Sequence, residues 1–325
     1  MLFGCLLPSS YSRCSQICFL AVSDLPQVVG GLTGWILGRA GILTGKAADS
    51  VNNMVFRVFL PLSIIENIAS TDLGGQFELK CALYVALSCI ATYVTLEAIE
   101  RRRDDPPSVA PVMVQGIHKA NYSLLVIPIV SSFFPEDLGM SVVLITIITP
   151  IVNICSTLAF VSRSGRKLSA GELAVKIILN PMVLSSFIGI LLNVTGITLP
   201  ELVADRVMAK MASMATPLAM ISLGASFELK AVGEYRKELF RAISGKLVFM
   251  PLALVSIAAL IGIRGADLIA VLVYSGAPTA VNSYSTAVSM GGDGVLAGQI
   301  VALSSAVSIA TLFCWLCALG ALGLI

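Results

Sequence analysis

Ten apolar runs follow one another along this chain, each near the length of a helix that crosses hydrocarbon, about 20 residues. They lie near 20–38, 47–69, 80–99, 108–133, 138–161, 173–195, 201–224, 242–263, 266–289 and 294–323. Of the 325 residues, 57% are hydrophobic and only 12% are charged, against about 25% charged in a soluble domain. Such a chain lacks the polar groups to cover a water-facing surface. In a bilayer the surroundings are themselves apolar, and helices satisfy their own backbone. The expected fold class is an all-α, multi-pass integral membrane protein of ten transmembrane helices. The weakest runs are 20–38, which holds Asp24 and Pro26, then 108–133 and 266–289. Residues 1–18 carry Arg13 inside a short apolar stretch and stay unassigned.

Several function classes fall away. The net charge of +2, with no basic patch interleaved with aromatics, gives no reason to expect nucleic acid. The Cys residues are scattered, Cys314 and Cys317 lie in an apolar run, and His118 is the sole His. No zinc set results, and neither metal nor cofactor is expected. No Ser/His pair or paired Asp motif stands on facing helices, so the chain is not read as an enzyme.

Loop charge gives the orientation. Arg39, Lys46, Arg101 to Arg103, Arg163, Arg166, Lys167, Arg236, Lys237 and Arg241 all fall on one side if the runs alternate. The opposite side receives the acidic turns at Asp72 and at Glu136-Asp137. The positive-inside rule makes the basic side cytoplasmic and places both termini outside. Asn193-Val194-Thr195, a glycosylation sequon on the expected outer side, lies close to the membrane.

The two halves resemble each other. The stretch from Pro61-Leu62 through Ile65, Ala69 and Ser70 to Leu73 matches Pro217-Leu218 through Ile221, Ala225 and Ser226 to Leu229 at an offset of 156 residues. One run earlier, Gly34, Gly41 and Ile42 match Gly189, Gly196 and Ile197 at an offset of 155. The units are residues 19–161 and 173–325, joined by a cytoplasmic linker at 162–172. A unit of five helices is odd, so the second enters from the opposite face. Inverted repeats of this kind characterise secondary transporters.

Binding sites in such proteins sit where a span is interrupted at the same place in both halves. Here those are the fourth run, with Gln115, His118, Lys119, Asn121 and Pro128, and the ninth, with Gly276, Pro278, Asn282, Ser283 and Ser285. Proline opens a helix by removing a donor and clashing with the carbonyl four residues back. The freed amides at half-helix N-termini suit an anion. The expected substrate is a small organic anion. Pro128 and Pro278 are expected to break their helices.

These residues look like those of the auxin efflux carrier family, which includes PIN-type carriers and bacterial malate-permease-like transporters. The resemblance covers roughly residues 28–320 and rests on Phe59-Leu60-Pro61-Leu62, Asn121-Tyr122 with Pro128, Asn180-Pro181, Ala215-Thr216-Pro217-Leu218-Ala219 and Ala277-Pro278-Thr279-Ala280-Val281-Asn282-Ser283-Tyr284. Gly291-Gly292-Asp293 follows the ninth run, as in many members. The resemblance implies a scaffold of spans 1, 2, 6 and 7, through which members can form homodimers. It implies a moving domain of spans 3–5 and 8–10, in which spans 4 and 9 cross at their prolines. It also implies a carrier acting by alternating access on a carboxylate or auxin-like weak acid. The substrate residues it suggests are Asn121, Pro128, Pro278, Asn282, Lys119, Tyr122 and Ser283. The long cytoplasmic loop of the larger plant carriers is absent, and Glu66 stands where an uncharged residue is usual.

Ionisable groups inside a span are expensive and mark function by default. Lys119 is read as supplying positive potential to the site. Glu66 and His118 are candidates for proton or cation coupling, with pairing of Glu66 to Arg57 as the structural alternative for Glu66. Glu97 is read as interfacial, beside Arg101 to Arg103. Two other readings stay open at this point. One is a sodium-coupled organic-anion symporter of bile-acid-transporter-like fold. The other is a membrane receptor or sensor that binds without flux.

Overall fold

The computed structural model describes residues 29–71, 78–103, 105–163, 169–197, 200, 203–228 and 231–325. Sequence readings made on residues 1–18, Asp24, Pro26, Asp72, Leu73, Arg166, Lys167 and Leu229 lie outside the described residues. Every regular element among those residues is a helix, and the one β-type pairing is an isolated bridge between Ala120 and Thr279.

Helix α1 covers residues 29–39. Helix α2 runs as Gly45–Met54, a π-helical turn Val55–Phe59 and Leu60–Ala69. Then come α3 (Leu79–Arg101), α4 (Ala110–His118), α5 (Tyr122–Phe133) and α6 (Gly139–Val161). Helices α7 (Ala170–Ile178) and α8 (Pro181–Thr195) follow. Helix α9 is a π turn, Ala204–Met208, continued by Ala209–Ala225. The short α10 (Ala231–Glu234) precedes α11, which runs as Arg236–Ser244, a π turn Gly245–Phe249 and Met250–Leu260. The chain ends with α12 (Gly265–Gly276), α13 (Asn282–Ser289) and α14 (Gly294–Ala321).

Among the described residues, α3, α6, α9, α11 and α14 are each long and apolar enough to cross a membrane. The pair α7–α8 adds a sixth if counted as one span, although its axes differ by 68°. The sequence reads 173–195 as one helix, and the structure corrects this. Asn180 caps a new helix by accepting from Met182 N at 2.9 Å, and Pro181 takes its first position, where a missing N–H costs nothing. Upstream, Ser169 and Glu172 start α7 with a reciprocal capping box.

Two of the π turns end two residues before a proline, Pro61 and Pro251. A widened turn lets a helix continue past a residue that lacks a donor. The carbonyl that Pro251 leaves without its usual partner, Leu247 O, accepts from Trp315 Nε1 at 3.0 Å.

Two cores organise the packing. The larger joins α3, α5, α6, α11, α12 and α14 around residues such as Val85, Leu144, Leu254 and Leu272. The second joins α2, α8 and α9 around Phe56, Ile64, Met182 and Ala219, with Val281 and Tyr284 of the α12–α13 segment against it. Glycine permits the closest approaches. A Cβ on Gly34 of α1 would lie 2.0 Å from Ile221 O of α9, and one on Gly189 of α8 would lie 2.9 Å from Ile68 Cβ and 3.3 Å from Ile65 O of α2. Asn193, the sequon residue, turns its amide onto the end of α2 and donates to Ile68 O (2.9 Å), Ala69 O (3.3 Å) and Thr71 O (2.6 Å). It thereby satisfies carbonyls that a helix C-terminus leaves open.

The basic ends of α3, α6 and α11 are tied by ion pairs. Glu97 holds Arg163 at 2.7 Å and Arg101 at 3.0 Å. Arg241 reaches Asp105 at 3.0 Å. Nearby, Asp293 caps α14 by accepting from Leu296 N at 2.9 Å and also receives the Tyr235 hydroxyl at 2.5 Å. That bond to the carboxylate holds the phenol's pKa up, at about 12.

Candidate functional site

Both interrupted runs open into half-helices, and their breaks meet. Helix α4 ends at His118 and α5 begins at Tyr122, while α12 ends at Gly276 and α13 begins at Asn282. Between them two stretches of extended backbone pair in antiparallel fashion. Asn121 N donates to Pro278 O at 2.9 Å, and Ala280 N donates to Lys119 O at 3.1 Å. Thr279 pins the junction on both sides: its N–H meets Ser304 Oγ at 3.1 Å, and its hydroxyl meets Gly116 O at 2.6 Å. Non-helical backbone buried in apolar surroundings survives only with its polar groups satisfied. Each break supplies partners for the other.

The second break falls at Pro278, as expected. The first does not fall at Pro128. That residue lies inside α5, seven positions beyond Asn121, and the chain opens at Lys119–Asn121 instead. A proline within a buried helix is accommodated by a kink. What opens the chain at 119–121 is the bonding to residues 278–280.

A cavity of about 500 Å³ lies against this crossing. Its walls are the crossing with the start of α5, one face of α2, the middle of α6 and the middle of α9. Lys119, Asn121, Tyr122, Asn282 and Glu66 all line it. Among the described residues, Lys119 and Glu66 are its only charged lining residues. Glu66 does not pair with Arg57; nine positions apart on one helix they are roughly 13 Å apart, and Arg57 is exposed.

The polar atoms at the crossing are poorly satisfied. Lys119 is 4% exposed and its Nζ has no hydrogen-bond partner among the described residues. The same holds for Asn121 Nδ2, Asn282 Oδ1 and Ser283 Oγ. Buried polar groups are normally bonded, so such a cluster asks for an explanation. Lys119 Nζ and Asn121 Nδ2 are donors, the serine hydroxyl also donates, and rotation of the Asn282 amide exchanges its O for its N–H₂. Lys119, Asn121 and Asn282 also line the cavity, so the residues there can offer donors to an acceptor-rich group.

Other sequence-picked residues have different places. His118 is fully buried, bonds Cys89 O at 2.9 Å and stands edge-on to Tyr93, and it does not line the cavity. The Tyr122 hydroxyl is committed to Ser141 O at 2.9 Å, so the residue lends the cavity its ring and backbone. Pro278 contributes a carbonyl to the crossing, and Ser283 lies buried behind it. Sequence reading missed Ser63, Asn67, Ser123, Thr149, Asn153, Ser213 and Thr216, which complete the polar lining. Their signal was weak, since single polar residues are common in apolar runs. Lys246, fully buried in α11, was also missed.

Comparison with known proteins agrees with the geometry. The family described as "Membrane transport protein" matches residues 20–173 and 167–316. An uncharacterized transporter from Methanothermobacter thermautotrophicus is 21% identical over 289 residues, spanning 87% of this chain and 93% of the relative. With its long apolar helices, the chain is an integral, multi-pass membrane protein and belongs to the membrane transport protein family, the auxin-efflux-carrier type that the crossing residues resemble.

Proposed function

We propose that the protein is a secondary carrier that moves a small organic anion, a carboxylate or auxin-like weak acid, by alternating access. The observation that carries this reading is the set of unpartnered polar atoms of Lys119, Asn121 and Asn282, three residues that line the cavity at the crossing. A carboxylate has about four lone-pair sites and takes such donors directly. The apolar remainder of the lining, such as Ile64, Leu124, Ile148 and Val281, suits an organic body rather than a bare inorganic anion.

We read the chain as ten spans in two inverted units, 19–161 and 173–325, with 162–172 between them. Reciprocal packing supports this. Gly34 abuts Ile221, and Gly189 abuts Ile65 and Ile68. Gly34 and Gly189 are repeat partners, and so are Ile65 and Ile221. The same contact is thus made once by each half on the other. In this reading α1, α2, α8 and α9 form the scaffold, through which two copies associate, and the crossing belongs to the moving part. Both termini lie outside. A cysteine placed at position 103 in a Cys-free background should be labelled only from the cytoplasmic face, and labelling from outside would reverse the orientation.

The test of function is flux of weak organic acids into liposomes holding the purified protein, with pH and sodium gradients imposed separately. Saturable uptake of an acid supports the carrier. Saturable binding with no flux would favour a receptor, and uptake that needs sodium would favour the symporter. Nothing in the arrangement calls for bond-making chemistry, and we assign no enzymatic activity.

Glu66 is the proposed coupling group because, among the described residues, it is the only carboxylate on the cavity wall. Replacing it by Gln removes the titratable group and keeps its shape. Glu66→Gln should flatten the pH dependence of uptake while the protein stays folded. Unchanged pH dependence with normal flux would leave Glu66 a merely structural residue.

A further inference from the structure

One charged side chain at membrane depth has no part in the cavity. Lys246 sits in the π turn of α11 and is 0% exposed. Its Nζ donates to Tyr274 O at 3.2 Å and faces Met250 Sδ at 3.9 Å. Among the described residues it forms no ion pair with a carboxylate. The groups around it are neutral or basic. Cys89 comes from α3, His118 with neighbouring Lys119 from the end of α4, and Tyr274 from α12. His118 is already committed to Cys89 O.

Burying an ammonium without a counter-charge is costly, and a leucine or methionine would fill the space more cheaply. What offsets the cost is the position. Tyr274 is two residues from Gly276, the last residue of α12. Its carbonyl is among the last four of the half-helix, which lack intrahelical partners and carry the negative end of the helix dipole. Half-helix C-terminal carbonyls beside a crossing are where transporters of broken-helix design hold a mobile coupling cation. Here the chain brings a cation of its own, aimed by a π turn whose Gly245 packs on Ile117 of α4.

We propose that Lys246 is a tethered cation, holding the place at the C-terminal end of α12 that a mobile alkali ion would otherwise take, so that the carrier works without sodium. The proposal rests on the carrier reading and decides between its two forms of coupling. The fixed charge stands behind the crossing and adds to the potential of Lys119 that draws an anion in. It is not released in the cycle, so no sodium gradient is spent.

The test has two arms on the full-length purified protein. In the first, thermal unfolding in detergent is followed with sodium chloride exchanged for choline chloride at equal ionic strength. The wild type should unfold at the same temperature in both. Lys246→Ala should unfold earlier and recover with n-propylammonium chloride, which can refill the space, but not with tetramethylammonium chloride. Stabilisation of the wild type by sodium over choline would overturn the proposal, and so would failure of propylammonium to rescue. In the second arm, uptake of radiolabelled indole-3-acetate and malate is measured in liposomes. Wild-type uptake should be indifferent to sodium. Lys246→Met should lower it about tenfold or more, the fold-change expected for losing a charge-assisted hydrogen bond. Sodium-dependent uptake by the wild type, or full activity of Lys246→Met, would refute the tethered cation. If the first arm behaves as expected and no screened acid is carried at all, the carrier reading fails and the cation assignment stands.

Discussion

Asn121→Ala and Asn282→Ala are each expected to weaken substrate binding by roughly 5- to 150-fold, the equivalent of about 1–3 kcal/mol for one lost buried partner. Neither should reduce expression. Asn121 keeps the crossing together through its backbone, whose N–H donates to Pro278 O at 2.9 Å, and alanine leaves that bond intact. What alanine removes is Nδ2, which has no other partner among the described residues. Asn282 opens α13, and its side-chain oxygen is likewise unpartnered. A neutral amide fits this place because it costs less to desolvate than a charge when the cavity is empty. The control is Ser213→Ala. Ser213 lines the same cavity, but its hydroxyl already bonds Lys210 O at 2.8 Å within α9, so affinity should hold to within about twofold. Titration calorimetry with an acid that the flux screen identifies gives the comparison. Unchanged affinity in both Asn variants would move the site elsewhere.

The sequence carried the second break more openly than the first. Gly276-Ala277-Pro278 stops a helix by local chemistry alone, and the structure breaks there. Around Lys119-Ala120-Asn121 no residue forbids a helix, and the nearest signal, Pro128, misplaced the break by seven residues. That opening is a tertiary effect, set by bonds to residues more than 150 positions away. The same distinction explains the side chains. Lys119, Asn121 and Asn282 were legible as polar residues flanking interruptions. The roles of His118 and Lys246 were not, since each depends on a carbonyl from another helix, Cys89 O and Tyr274 O. The bend at Asn180-Pro181 was legible in principle: an Asn followed by Pro is a helix start, and reading the apolar run straight through it gave too much weight to hydropathy.

The other large effect concerns the wall opposite the crossing. Gly34→Ala and Gly224→Ala should each lower stability by about 1–3 kcal/mol or more, the usual cost of overpacking. A Cβ on Gly34 would stand 2.0 Å from Ile221 O, and one on Gly224 would stand 2.0 Å from Gly31 O. Both clashes are with backbone, so no rotamer change relieves them; α1 and α9 must separate. Gly30, Gly34 and Gly38 recur every four residues and form one stripe, the small-residue pattern that lets membrane helices approach closely. Gly45→Ala is the matched control. Nothing lies within 4 Å of its Cβ and it sits in α2, so alanine should be neutral or slightly stabilising. Unfolding temperature in detergent measures the difference. Function should follow stability here, because the helix that must shift also presents Ala212, Ser213 and Thr216 to the cavity. A Gly34→Ala protein as stable as the Gly45→Ala protein would mean that α1 does not press on α9 in the membrane. The reciprocal contact that supports the inverted repeat would then lose half its basis.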